Sequence, residues 1–221
     1  MDTKKKQELF AYLWQYVTEN KKQKIDQVIG NRTNHLTVVL EEIYQSHNAS
    51  AVMRSAECFG VQNVHVVQNR NEFNPKQAVS MGSTKWLSVH SYTNISDCYK
   101  SLKQQGYRIV ATTVDPKACL LPELAVDKKT ALVFGTEQQG LTEAALAGAD
   151  QFMTIPMYGF TESFNVSVSV AICLYHLTEK LRKSDIAWKL SDDELFELRL
   201  QWVKAAVKNS AQLEKRFFGT D

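Results

Sequence analysis

From Leu36 onward the chain alternates short β-branched runs with longer amphipathic stretches, a rhythm that few folds accommodate. Thr37–Leu40, Val64–Val67, Leu87–Tyr92, Arg108–Thr113, Ala131–Phe134 and Phe152–Ile155 have the length and composition of strands. Ala49–Phe59, Ile95–Gln105, Thr142–Ala147 and Ser163–Lys183 carry helical spacing. Successive strands joined by helices run parallel and need cover on both faces. The expected core is therefore α/β, a mostly parallel sheet with helices on both sides.

The flanks read differently. Leu9, Phe10, Leu13, Trp14 and Val17 recur at helical spacing, which predicts one helix from about Lys4 to Gly30. At the other end, Ser191 before Asp192, Asp193 and Glu194 has the chemistry of an N-cap with an acidic first turn. Leu195, Leu198, Trp202, Val203, Ala206 and Leu213 continue that helix as an apolar stripe. Three segments result: a helical arm over 1–35, the α/β body over 36–183 and a helical extension over 184–221.

Composition narrows the function classes. With 44% hydrophobic and 23% charged residues among 221, neither disorder nor a disulfide scaffold is expected. The four cysteines, Cys58, Cys98, Cys119 and Cys173, are scattered without a C-x-x-C pair. That argues against a structural zinc site and for a reducing, cytoplasmic setting. The start, MDTKKKQELF, lacks a signal core, and no apolar run approaches the ~20 residues of a membrane helix. Net charge is only +2, but residues 1–36 carry seven Lys/Arg against four Asp/Glu. A basic arm ahead of a near-neutral body suits contact with phosphate, or merely a solvated helix.

Parallel α/β sheets bind ligands at the carboxyl ends of their strands. Here no G-x-G-x-x-G and no G-x-x-x-x-G-K-[ST] follows any strand, which excludes a nicotinamide-type Rossmann site and a P-loop. Instead Phe134-Gly135-Thr136-Glu137-Gln138-Gln139-Gly140 follows an apolar strand, with glycines that permit close backbone approach. Alone, such a segment is an ordinary strand-to-helix turn. Likewise Asn48 can be a plain N-cap, Arg54 a surface residue, and Ser163 with Asn165 a helix start.

Together, three blocks resemble the signatures of the SPOUT superfamily of RNA methyltransferases, in particular its TrmH-type tRNA (guanosine-2′-O-)-methyltransferases. They are N-A-S-A-V-M-R-S-A-E-C-F-G-V (Asn48 to Val61), L-V-F-G-T-E-Q-Q-G-L (Leu132 to Leu141) and I-P-M-Y-G-F-T-E-S-F-N-V-S-V (Ile155 to Val168). The likeness runs from about Lys24 to Lys183 and includes M-G-S-T-K-W (Met81 to Trp86).

The resemblance implies a C-terminal trefoil knot, a homodimer through the knot region, and S-adenosylmethionine as cofactor without a metal. Cofactor binding falls to Thr112, Thr113, Gly135, Gly140, Ile155, Phe164 and Val166. A cup lined by main chain explains the missing nucleotide fingerprint, because N–H and C=O groups can recognise adenine. The implied reaction moves a methyl group to a ribose 2′-hydroxyl of tRNA, with a D-loop guanosine as the expected target. By position Arg54 is the catalytic arginine, supported by Asn48, Glu137, Ser163 and Asn165. A guanidinium stays protonated at neutral pH, so the favoured role is a charged one: steadying the developing oxyanion while substrate phosphate takes the proton.

Lys21, Lys22, Lys24 and Arg32 in the arm, with Lys85 beside Trp86, are the candidate RNA contacts, and Lys180, Arg182 and Lys183 would extend that surface from the C-terminal side. A ribosomal-RNA methyltransferase is the rival enzyme. Such enzymes often carry a separate N-terminal substrate domain, for which about thirty-five residues leave no room. A SPOUT-fold RNA binder without turnover is the non-catalytic alternative, opposed by the complete set of catalytic-type residues.

Overall fold

A computed structural model describes residues 1–42, 46–68 and 82–219. The chain divides into two units, one of residues 33–188 and one formed by 1–32 together with 189–221.

Among the described residues of the larger unit, seven strands form one sheet: β1 (Leu36–Glu41), β2 (Asn63–Val67), β3 (Ser88–Tyr92), β4 (Arg108–Thr112), β5 (Cys119–Leu120), β6 (Thr130–Phe134) and β7 (Gln151–Thr154). Their order is β3-β2-β1-β6-β4-β7-β5, and every pairing is parallel. The mostly parallel α/β core read from the sequence is therefore present. β1 and β6 are buried along their whole length, as mainly apolar central strands covered on both faces should be, and the one polar residue inside β1, Thr37, donates its hydroxyl to the Asn63 carbonyl at 2.7 Å.

Period-two alternation divides those strands between two cores. Leu36, Val38 and Leu40 of β1, with Leu132 and Phe134 of β6, meet α3 (Ser46–Cys58) on one face. Val166, Val170, Cys173, Leu174 and Leu177 join the same core from the long helix that begins at Val166. Val39, Ala131 and Val133 point the other way, onto α4 (Ile95–Gln104) and α5 (Glu143–Gly148). The long helix, α6 (Val166–Arg182), starts three residues later than the expected Ser163, because Asn165 is its N-cap and accepts from the Ser167 N–H at 2.9 Å. Met81 of the M-G-S-T-K-W segment lies outside the described residues.

The smaller unit is helical. The single helix expected over Lys4–Gly30 is instead α1 (Thr3–Trp14) and α2 (Glu19–Ile29). Residues 15–18 leave the helix by tight turns, and Val17 drops into a core with Leu9, Leu13, Leu200, Val203 and Val207. Burial of Val17 thus outweighs continuation of the helix. The C-terminal extension also splits, into α7 (Asp192–Ala206) and α8 (Ser210–Phe218), with Asn209 left-handed at φ 59° between them. The cap read from Ser191 is a full capping box: its hydroxyl accepts from the Glu194 N–H, and the Glu194 carboxylate accepts from the Ser191 N–H.

Candidate active site

Three adjacent strands, β6, β4 and β7, end at one place, and the turns leaving them enclose a cavity of about 460 Å³. This is the carboxyl edge of the sheet, where a parallel α/β fold leaves backbone groups free for a ligand. Thr112 and Thr113 come from β4, Gly135 to Gly140 from β6, and Ile155 with Ser163, Phe164 and Val166 from the segment after β7. All seven residues expected to hold the cofactor line this cavity, as does Ser163.

The turns are tied together. Thr112 Oγ1 donates to the Val133 carbonyl at 2.8 Å, and the Thr113 N–H donates to the Met153 carbonyl at 2.9 Å. Thr136 and Gly140 exchange backbone hydrogen bonds of 3.0 Å in each direction, closing the second turn into a small ring. A β-carbon at Gly135 would stand 2.1 Å from the Gly140 carbonyl oxygen, so only glycine permits that closure. Gly140 itself is left-handed, at φ 65°.

Beside the cavity, three of the five expected catalytic residues form one hydrogen-bonded group. Asn48, buried at the start of α3, donates its amide to the Glu137 carboxylate. Asn165 Nδ2 lies 3.3 Å from the same carboxylate oxygen and 3.2 Å from Asn48 Oδ1. Its own Oδ1 accepts from Ser167, which sets the side-chain orientation. Segments 117 residues apart, the starts of α3 and α6, are thereby joined through Glu137. Arg54 is exposed on α3, six residues beyond Asn48, which is about 9 Å along the helix axis and about a third of a turn around it.

The basic residues separate into surface and structural groups. Lys24 is exposed, and Lys85 is exposed with Nζ 4.8 Å from the centre of the Trp86 ring. Arg32 corrects the sequence expectation: it is 1% exposed, with its guanidinium 5.6 Å from the Trp202 ring. A buried guanidinium packed on an indole supports the helical unit and does not present charge to phosphate. Lys180 donates to the carbonyls of Pro122 and Leu124, and Arg182 to that of Phe59.

One residue of this region gave no local signal. Glu41, 3% exposed at the end of β1, accepts from both the N–H and the hydroxyl of Thr142. It clamps the far end of the Gly135–Leu141 turn to the central strand. Glu162 also lines the cavity. With Leu141, Met153, Ile155 and Val166 as apolar lining, backbone groups from three turns and the acids Glu137 and Glu162, the cavity suits a flat, partly apolar ligand that carries positive charge.

Comparison with known proteins identifies the family. A family model described as the SpoU rRNA Methylase family matches residues 35–175. Over 202 residues the chain is 43% identical to a Borreliella burgdorferi protein named tRNA (guanosine(18)-2'-O)-methyltransferase, covering 91% of this chain and 93% of that one. A Thermus thermophilus protein of the same name is 33% identical over 169 residues, covering 76% and 87%. Among solved structures, the A. aeolicus TrmH/SpoU tRNA modifying enzyme superposes with a TM-score of 0.74 at 28% identity, covering 86% of this chain and 98% of that one. A SpoU methyltransferase from Streptomyces viridochromogenes in complex with the cofactor AdoMet shares the fold, with a TM-score of 0.60 at 22% identity over 72% of this chain and 62% of that one. By sequence and by fold, the chain belongs to the SpoU rRNA methylase family.

Proposed function

We propose that this chain is an S-adenosylmethionine-dependent tRNA ribose 2′-O-methyltransferase, and that its target is the guanosine at position 18 specified in its relatives' names. The observation that carries the reading is the Asn48–Glu137–Asn165 group beside a cavity built from three strand-end turns. When bound, S-adenosylmethionine supplies an activated methyl group on a sulfonium centre. Its adenine suits the main-chain and apolar lining, and its positive charge suits the two acids.

The chain's own residues position and polarise. A ribose hydroxyl is a weak nucleophile, so its attack needs alignment and a sink for its proton. The amides of Asn48 and Asn165 hold the Glu137 carboxylate in one orientation, which steadies the turn against which the acceptor ribose must lie. Arg54 stays charged and stabilises the developing oxyanion, while a phosphate of the substrate takes the proton. Ser163, exposed in the third turn and lining the cavity, hydrogen-bonds the substrate in this reading.

The reading includes a knotted, homodimeric enzyme. β5 and β4 flank β7, so the loop 113–118 joins strands on either side of the strand that follows them in sequence, and the chain leaving β7 must run past that loop. Val168 and Tyr175 are exposed seven residues apart on one face of α6, an apolar stripe suited to self-association. Arg54 is exposed about a third of a turn around α3 from Asn48, and in this reading it serves the site of a second copy.

Among the rivals, the tRNA-specific names of relatives covered over 87% or more of their length favour tRNA over rRNA. Labelled cofactor with unmodified tRNA and with rRNA, followed by nucleoside mapping, tests the substrate. Methyl on the 2′-oxygen of guanosine 18 is expected; methyl on a base, or on rRNA alone, overturns the reading. Arg54→Ala and Glu137→Ala are each expected to lose about a hundredfold or more in kcat. Mixing the two inactive chains restores part of the activity if the site is shared between copies.

A further inference from the structure

The segment between the cavity wall and the hydrogen-bonded group carries two aromatic rings with no cover. Met157 lines the cavity on one side, and Glu162 and Ser163 line it on the other. Between them Tyr158 is 96% exposed and Phe160 is fully exposed. Single apolar residues on a surface are ordinary, but two exposed aromatic rings two residues apart, in a segment whose ends line a cavity, mark a contact surface.

Rings at this position have a specific opportunity. The 158–161 segment runs between Met157, which lines the cavity, and Asn165, which caps α6 and lies 3.3 Å from the Glu137 carboxylate, so its rings adjoin the site that the proposed reaction uses. Flat aromatic faces take unpaired bases without regard to sequence, since every base offers a π-face. Apart from its two chain neighbours, Gly159 between them has nothing nearer its β position than the Thr161 nitrogen at 4.0 Å. No Lys or Arg falls within 154–165, so stacking rather than ion pairing is what this segment offers.

We propose that Tyr158 and Phe160 form a stacking platform for an unpaired base of the RNA substrate, at or beside the nucleotide that receives the methyl group. The inference rests on the tRNA methyltransferase reading and adds the surface that grips the base. It assigns the rings to RNA and not to a second copy of the chain.

Binding of unmodified tRNA to wild type and to the Tyr158→Ala/Phe160→Ala double variant tests this directly, alongside cofactor titration and sedimentation. The expected result is tRNA affinity weakened about ten- to hundredfold, with cofactor affinity and oligomeric state unchanged. Tyr158→Trp, with Phe160 intact, is expected to keep tRNA affinity and to show indole emission quenched on adding tRNA, measured as a difference from wild type. Equal tRNA affinity in the double variant overturns the platform, and so does a change in its oligomeric state, which would place the rings between two copies. Wild type that binds tRNA without methylating it overturns the catalytic reading alone, while the double variant still decides the platform by affinity.

Discussion

The Glu41 carboxylate accepts two hydrogen bonds from Thr142, one from its N–H at 2.9 Å and one from its hydroxyl at 2.7 Å. Glu41 closes β1, and Thr142 caps α5 by accepting from the Ala145 N–H at 3.2 Å. The turn that carries Glu137 is thus held at its far end by a buried acid. Glu41→Ala leaves that N–H without its partner, and Thr142→Val removes the hydroxyl from both Glu41 and the cap. Each is expected to cost about 1–3 kcal/mol in urea unfolding and to weaken cofactor binding. The double variant should cost less than the sum of the two, because they share one interaction. Full additivity would show the pair to be independent.

Gly135→Ala tests the closed turn without touching a polar group. Its new methyl meets the backbone of Gly140 and Leu141, which cannot rotate away as a side chain would. The expected outcome is a folded protein by circular dichroism whose cofactor affinity falls at least tenfold by isothermal titration. Unchanged affinity would mean that the turn does not form part of the binding surface.

His65 gives the fold a pH dependence. It is buried between His90, with ring centres 4.7 Å apart, and Tyr92, whose hydroxyl lies 3.3 Å from Nδ1. Burial, then the neighbouring His90, pushes its pKa down to about 3, against 6.5 for a free imidazole. Between those values the unfolded chain binds a proton that the folded chain refuses. Stability from this group is therefore complete above about pH 6.5 and declines as pH falls, by roughly 1.4 kcal/mol per unit. Burial also lowers the pKa of His90, which acts in the same direction. Urea midpoints measured from pH 7.5 to 4.5 should fall more steeply for wild type than for His65→Phe, which keeps a ring in the stack.

Arg32 separates a structural cation from an RNA contact. Buried against Trp202, it should matter to unfolding and not to substrate. Arg32→Ala is expected to lower stability by about 1–3 kcal/mol, because it removes a buried side chain packed on the Trp202 ring. The KM for tRNA should stay the same at temperatures where the variant is folded. A raised KM with unchanged stability would return Arg32 to the RNA surface.

Much of the site was legible because its signals are local. Gly135 and Gly140 write a turn that only glycine can make, Asn165 has the chemistry of an N-cap, and β1 and β6 are short runs dominated by aliphatic residues. Glu41 was illegible, since a glutamate ending a strand looks like any other until its partner 101 residues away is in place. β5, two residues long, has no pattern to read and exists through its pairing with β7. Arg32 follows a helix in a basic arm, and nothing local distinguishes its buried guanidinium from the exposed Lys24.

By itself the sequence determined the alternation of strands and helices, the turns at the strand ends and the types of polar residue at those turns. These follow from backbone preference and side-chain period, which act over a few residues. Tertiary structure alone decided the strand order, the breaks after Gln15 and Val207, and the meeting of Asn48, Glu137 and Asn165. Each of those depends on burial or hydrogen bonding between segments far apart in the chain, and those energies exist only once the whole chain has closed.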